Sequence, residues 1–218
     1  MTRNLVSADA LGQEFDGQAE ALLRKGYPEA ASLSEAGFMK HIAPLRARVA
    51  EIEPAGEDME AGRLPFVIVV TPYLVAPDRA MSLVERAGKR GFAKMYPREP
   101  GDFHPVDGLL IPIAPAYLLV DIDRGRETIN ATPNEALDRI YAAGRSPLTI
   151  DEGIAILTHH PDFLQKNNCF SLLASRCGDQ RVPAMWISEG APRLGWCWAG
   201  NPHTWLGSAS CRSRIGPP

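Results

Sequence analysis

No stretch of this chain approaches the ~18 consecutive apolar residues of a membrane-spanning helix. The longest apolar runs, 64–70 and 109–120, are short or broken by Pro112 and Pro115. The opening MTRNLVSADALGQEF has no apolar core of the kind a secretory signal needs. A cytoplasmic setting is therefore expected, where thiols stay reduced. Basic excess is missing as well: 23 Lys and Arg against 26 Asp and Glu give a net charge of −3. Nucleic-acid binding usually needs a clearly basic face, so that partner class is set aside together with membranes. A small-molecule ligand and a second copy of the chain remain as the expected partners.

The familiar catalytic signatures are also absent. There is no G-x-x-x-x-G-K-[ST] loop and no G-x-G-x-x-G after a strand. Neither a G-x-S-x-G elbow nor an H-E-x-x-H helix occurs. P-loop enzymes, ordinary dinucleotide dehydrogenases, common hydrolases and zincins lose their usual support, and no standard nucleotide cofactor is expected.

Cys and Trp are rare, four of each, and they are crowded together. All Cys lie between Cys169 and Cys211, and all Trp between Trp186 and Trp205. The same region carries five Arg and two acids from Asn167 onward, so the remainder of the chain is net acidic.

Periodicity supplies the elements. Leu11, Phe15, Ala19 and Leu22 share one helical face, and Gly26 offers a left-handed stop. Ser32 and Glu35 have capping-box spacing for a second helix, whose stripe is Phe38, Ile42, Leu45 and Val49, with Pro44 as a kink. The acidic run 51–63 reads as a loop. LPFVIVV at 64–70 is continuously apolar, which suits a strand buried on both faces. APDRAMSLVERAGKRGFAKM predicts an amphipathic helix ended by Gly91, with Arg86, Lys89, Arg90 and Lys94 on one solvated or anion-attracting face. After the strand AYLLVDID, Thr132-Pro-Asn-Glu135 and Thr149-Ile-Asp-Glu152 are two further capping boxes, ended by Gly144 and by Pro161 after His159 and His160. CFSLLAS, VPAMWIS and PRLGWCWAG read as an antiparallel meander. The expected architecture is a single α+β domain over 1–218. Its parts are a helical 1–50, the acidic loop 51–63, mixed strands and helices over 64–166, and a β-meander at 167–211 carrying the candidate site.

Several groups could carry chemistry. Asp121-Ile-Asp123 at a strand end resembles a Mg²⁺-binding pair, but Arg124-Gly125 follows it, and pairing with Arg124 or Arg126 is the plainer reading. The cysteines lack the C-x2–4-C knuckle of zinc ribbons. A zinc site from Cys177, Cys197, His203 and Cys211 stays open beside the alternative of buried structural thiols. Cys177, next to Arg176, is the candidate catalytic thiolate, since a cation lowers a thiol's pKa. Trp196 and Trp198 should share one face of a strand with Cys197 on the other. They could wall a binding site or fill the core. Arg176 and Arg193 would hold an anionic group, Asn201 and Trp205 would line the ligand, and His203 would act as general acid or base.

The run THHPDFLQKNNCFSLLASRCGDQRVPAMWISEGAPRLGWCWAGNPHTWLGSAS, with FDGQAEALLRKGYP, TPNEAL and GRSPLTIDEGIA, resembles an uncharacterised actinobacterial domain family. The resemblance covers nearly the whole chain and implies one soluble domain. It carries over no catalytic residue. The function expected is small-molecule binding, with acid–base enzyme chemistry in (specialised) metabolism as its fuller form. The alternatives are a protein-interaction or oligomerisation module with a Trp- and Arg-rich face, and a zinc-stabilised fold.

Overall fold

The computed structural model describes residues 8–53 and 58–218. The expected loop's residues 54–57 and the opening residues 1–7 lie outside them. Leu11, Phe15, Ala19 and Leu22 form the buried face of α1 (Ala8–Arg24). Gly26, at φ 81°, follows that helix and caps the one-turn α2 (Tyr27–Ala30). α3 (Glu35–Ile42) is capped by Ser34, whose hydroxyl accepts from the Gly37 N–H at 3.1 Å. The predicted cap, Ser32, instead sits in the preceding turn at φ 57°. Pro44 does not kink a long helix. It stands at the start of a 3₁₀ stretch, Ala43–Glu51, as expected where proline removes an N–H from the α ladder. Leu45 and Val49 are nonetheless buried as the stripe requires.

β1 (Arg63–Val70) is buried from Leu64 to Val70, matching its continuous apolar run. The basic segment after it departs from expectation. Its helix, α4 (Pro77–Leu83), is short, and the chain then turns back as the hairpin β2 (Glu85–Arg86) and β3 (Lys89–Arg90). Ala87 and Gly88 take φ of 50° and 75°, the two positive values of a tight hairpin turn. Arg86, Lys89, Arg90 and Lys94 therefore share no helical face. β4 (Phe92–Ala93) and β5 (His104–Pro105) precede β6 (Ala116–Asp123), which pairs antiparallel with β1 from Arg63↔Asp123 to Val70↔Ala116.

Both later capping boxes form. Thr132 accepts from the Glu135 N–H at the start of α5 (Pro133–Ala142), and β7 (Ser146–Pro147) leads to α6 (Ile150–His159). At α6, Glu152 accepts the Thr149 N–H at 2.8 Å. The remaining strands are β8 (Cys169–Ser171), β9 (Ser175–Arg176), β10 (Arg181–Ser188), β11 (Ala191–Trp198), β12 (Leu206–Ser208), β13 (Ser210–Cys211) and β14 (Ser213–Ile215).

One sheet has the order β1-β6-β13-β7, with β14 also on β6. The other has the order β12-β8-β10-β11-β4. β8, β10 and β11 form the predicted antiparallel meander, while β12 and β4 join in parallel and make the sheet mixed. Gly125, at φ 86°, is required where the chain passes β12: a Cβ there would lie 2.1 Å from the Ser208 carbonyl oxygen. A single large apolar cluster runs from α1 through both sheets to Cys211, giving one α+β domain.

Candidate functional site

The Trp-rich strands divide their side chains between two faces. In the β10–β11 register, Trp196 faces Pro183 and Trp198 faces Arg181 on one side. The indoles meet edge to face at 4.8 Å, and the Arg181 guanidinium lies 4.7 Å from one ring and 5.1 Å from the other. Trp196 Nε1 donates to the Met95 carbonyl at 2.9 Å, so this indole is anchored. Arg193 and Trp186 pair on the opposite face, with the guanidinium 4.8 Å from the ring. There Trp186 meets Trp205 at 6.3 Å, and Trp205 meets His203 at 5.2 Å. Gly195 makes room for this row: a Cβ on it would fall 2.2 Å from Trp186.

This geometry corrects the expectation of one convergent site. The pleat separates Trp196 and Trp198 from Arg193, Trp205 and His203. Asn201 is exposed in the turn after β11, donating its N–H to the Trp198 carbonyl. Arg176 pairs with His104 in the ribbon β5–β9, outside both rows. Cys177 donates to Asp179 Oδ1 at 3.2 Å, and burial, then this carboxylate, push its thiol upward. That is the reverse of the depressed pKa an activated thiolate needs. Burial drives Cys197 to about 11 and Cys211 to about 12. All four thiols are free, and among the described residues no three His, Cys, Asp or Glu side chains gather where a metal could bind. The zinc set therefore does not assemble.

Asp121 and Asp123 are paired, but not with the arginines expected. Arg63 reaches Asp123 at 3.1 Å, while Arg145 and Arg212 hold Asp121 at 3.0 and 2.9 Å. Asp121 sits at φ 51°, in a bulge where the Arg212 N–H meets the carbonyls of Val120 and Asp121.

Among the described residues, a concave polar site lies elsewhere, along α6. Leu22, Tyr27, Ile68, Val70, Ala80 and the α6 residues Asp151, Ile154, Ala155, Thr158 and His159 enclose a narrow pocket, part open to solvent. Its closed part admits about one water-sized group. Asp151, Ile154, Ala155 and Thr158 follow helical spacing, so one face of α6 supplies both polar ends and the apolar middle. Tyr27 hydroxyl lies 2.9 Å from Thr158 Oγ1, which itself donates to the Ile154 carbonyl at 2.9 Å. His159 Nε2 meets the Ile68 carbonyl at 2.9 Å, and Gln18 Oε1 accepts the Ile68 N–H at 2.8 Å. These two side chains cover polar groups on the edge strand β1. Nδ1 of His159 is buried and receives no hydrogen bond from the described residues.

Electrostatics sets these groups apart. Burial, reinforced by the Glu152 charge, pushes the Asp151 carboxyl up to about 7. Burial holds His159 down to about 3, so its ring is neutral, and lifts Tyr27 to about 12. Neighbouring Glu152 stays out of the pocket's chemistry. It is fully buried, accepts from Tyr117 at 2.7 Å and pairs with Arg214. In the sequence, the capping box of Thr149 with Glu152 accounts for Glu152 alone and leaves Asp151 as one more first-turn acid. The available signal was polar: Asp151, Thr158 and His159 stand on a helix otherwise almost wholly apolar and buried.

An α+β domain with a narrow polar pocket along one buried helix is the class that fold and site define. The chain belongs to a family of unknown function, DUF5701, whose model matches residues 21–217. No curated protein and no solved structure matches it. Among the described residues, no helix is long and apolar enough to cross a membrane.

Proposed function

We propose that the protein binds a small polar molecule in the α6 pocket, with Asp151 as its acid–base group. The observation that carries this reading is geometric: Asp151, whose carboxyl burial pushes up to about 7, lines one pocket with the neutral His159 ring, whose buried Nδ1 receives no hydrogen bond from the described residues. Proton transfer at neutral pH favours a group whose pKa lies near the operating pH. Perturbed titratable groups in a cleft mark functional sites more often than chance. His159 supplies orientation through Nδ1, while its edge-strand bond holds the ring in place. A fragment screen read by amide NMR tests the reading. Hits should move Ile154, Thr158 and His159, and Ala155→Leu, which fills the pocket, should abolish them.

A partner-binding surface is the second reading. Tyr96 is 86% exposed and Trp198 42%, and the Tyr96 carbonyl lies 3.2 Å from Trp196 Nε1, beside the Arg181-capped indoles. Aromatics with arginine are typical interface anchors. Fragment hits confined to Trp196 and Trp198 would favour this surface over the pocket.

A further inference from the structure

The α6 pocket carries more than a location, because its hydrogen-bond capacity can be worked out atom by atom. The Ile68 carbonyl can only accept, so His159 Nε2 carries the ring proton and donates to it. In the neutral ring Nδ1 is then a lone-pair acceptor. Thr158 spends its single hydroxyl proton on the Ile154 carbonyl. Tyr27 must therefore donate in its contact with Thr158, which leaves its own oxygen as an acceptor. Asp151 adds a carboxyl for which no cation is within ion-pair distance among the described residues. Once Asp151 is ionised, every side-chain polar atom with spare capacity on this wall accepts. The rest of the wall is aliphatic.

A site of that kind suits a ligand with several N–H donors, a positive charge and a narrow apolar stem. We propose that the α6 pocket receives the primary ammonium head of a small aliphatic amine, with Asp151 as its counterion. The stem would run along Ile154 and Ala155. Asp151 and His159 stand eight residues apart, about 12 Å along the helix axis. The enclosed space takes the head alone, and a longer stem would leave through the open side of the pocket. This assignment rests on the pocket being the binding site and fixes the chemistry of what enters it. Above about pH 7, with Asp151 ionised, anions and carboxylates meet like charge and find no side-chain donor.

Isotope-labelled protein titrated with methylammonium chloride tests it, with tetramethylammonium and sodium chloride as controls at equal ionic strength. Methylammonium should move the Asp151 carboxyl carbon along a saturating curve, and the controls should not. Ammonium chloride separates two sources of the same chemistry. Saturation at the same concentration as methylammonium identifies the free ion, and saturation only at much higher concentration identifies an amine head. Asp151→Asn should weaken binding about tenfold or more, since a charged hydrogen bond is lost.

The wild type gives an independent check without any variant. Binding should be about tenfold tighter at pH 8 than at pH 6, because Asp151 ionises between them. Tyr27, at about 12, Tyr117, raised well above its usual value, and His159, at about 3, keep their charge state over that range, and Glu152 is locked to Arg214. The charges of Lys25 and His160 act on His159 at the far end of α6, with Glu152 the charge that acts on Asp151. A tetramethylammonium shift equal to that of methylammonium overturns the assignment. So does binding of neutral or anionic fragments at α6 with amines silent, although the pocket reading then survives. If no probe of any charge perturbs α6, both fall.

Discussion

Nε2 of His159 donates to the carbonyl oxygen of Ile68 at 2.9 Å, across the edge of β1. One bond thus covers an edge-strand acceptor, fixes the tautomer and leaves Nδ1 a buried acceptor on a ring that lines the pocket. It also couples the pocket to folding through protons.

His159 ordinarily titrates at 6.5 and is held to about 3, so below pH 6.5 the unfolded chain takes up a proton that the folded chain refuses. That contribution lowers stability as pH falls. Asp151 acts in the opposite sense, because its folded carboxyl keeps a proton up to about 7, against 3.8 when unfolded. Its contribution is fully present below 3.8 and is lost as pH rises toward 7. Between about pH 4 and 6.5 the two should offset one another. Asp151→Asn removes only the second. Relative to wild type, the variant should lose up to about 1.4 kcal/mol per pH unit as pH falls from 6.5 toward 4. Urea unfolding at several pH values across this window measures the difference.

Arg214 and Glu152 form a buried pair, 4% and 0% exposed at the side chain, that fastens β14 to the first turn of α6. Arg214 also reaches Ser146 Oγ at 2.7 Å and the Pro147 carbonyl at 2.8 Å. Arg214→Met strands the Glu152 charge and should cost about 3–5 kcal/mol. Adding Glu152→Gln, which keeps the capping geometry, should recover part of that loss. Equal losses in the single and double variants would show that Arg214 acts through packing alone.

Gly195 is fixed by Trp186 rather than by backbone conformation. Gly195→Ala should push the indole aside, at a cost of about 1–3 kcal/mol from overpacking. Tryptophan fluorescence should shift with it, since Trp186 also packs against Trp205 and Arg193. An unchanged spectrum and unchanged stability would contradict the close approach.

Native thiol labelling at neutral pH should be slow at every cysteine. Cys169 and Cys211 are buried, and Cys177, though partly exposed, has its thiol pushed upward. Cys177 should react more slowly than free cysteine, and the buried Cys169 and Cys211 should label only after unfolding. A Cys177 faster than the free amino acid would restore it as a nucleophile.

The elements legible in the sequence were those with a strong local signal. Thr132 with Glu135 and Thr149 with Glu152 marked helix starts, and LPFVIVV marked a buried strand by composition alone. The basic segment after Pro77 misled because Arg86, Lys89, Arg90 and Lys94 fit a helical face that an Ala87-Gly88 turn breaks. Alternation correctly placed Trp196 and Trp198 on one side. It also implied that Arg193 faces away from them, a consequence that dissolves the convergent site. The pocket was hidden for a different reason. Tyr27, Ile68 and Asp151 lie on three elements far apart in the chain, and burial, which sets their pKa values, is a property of the fold.

The most direct measurement is a carbon-detected NMR titration of the Asp151 carboxyl in the unliganded protein. A midpoint near 7 is predicted, because burial and the Glu152 charge both oppose ionisation. A midpoint near the ordinary 3.8 would contradict it, leaving α6 without a group able to exchange a proton at neutral pH.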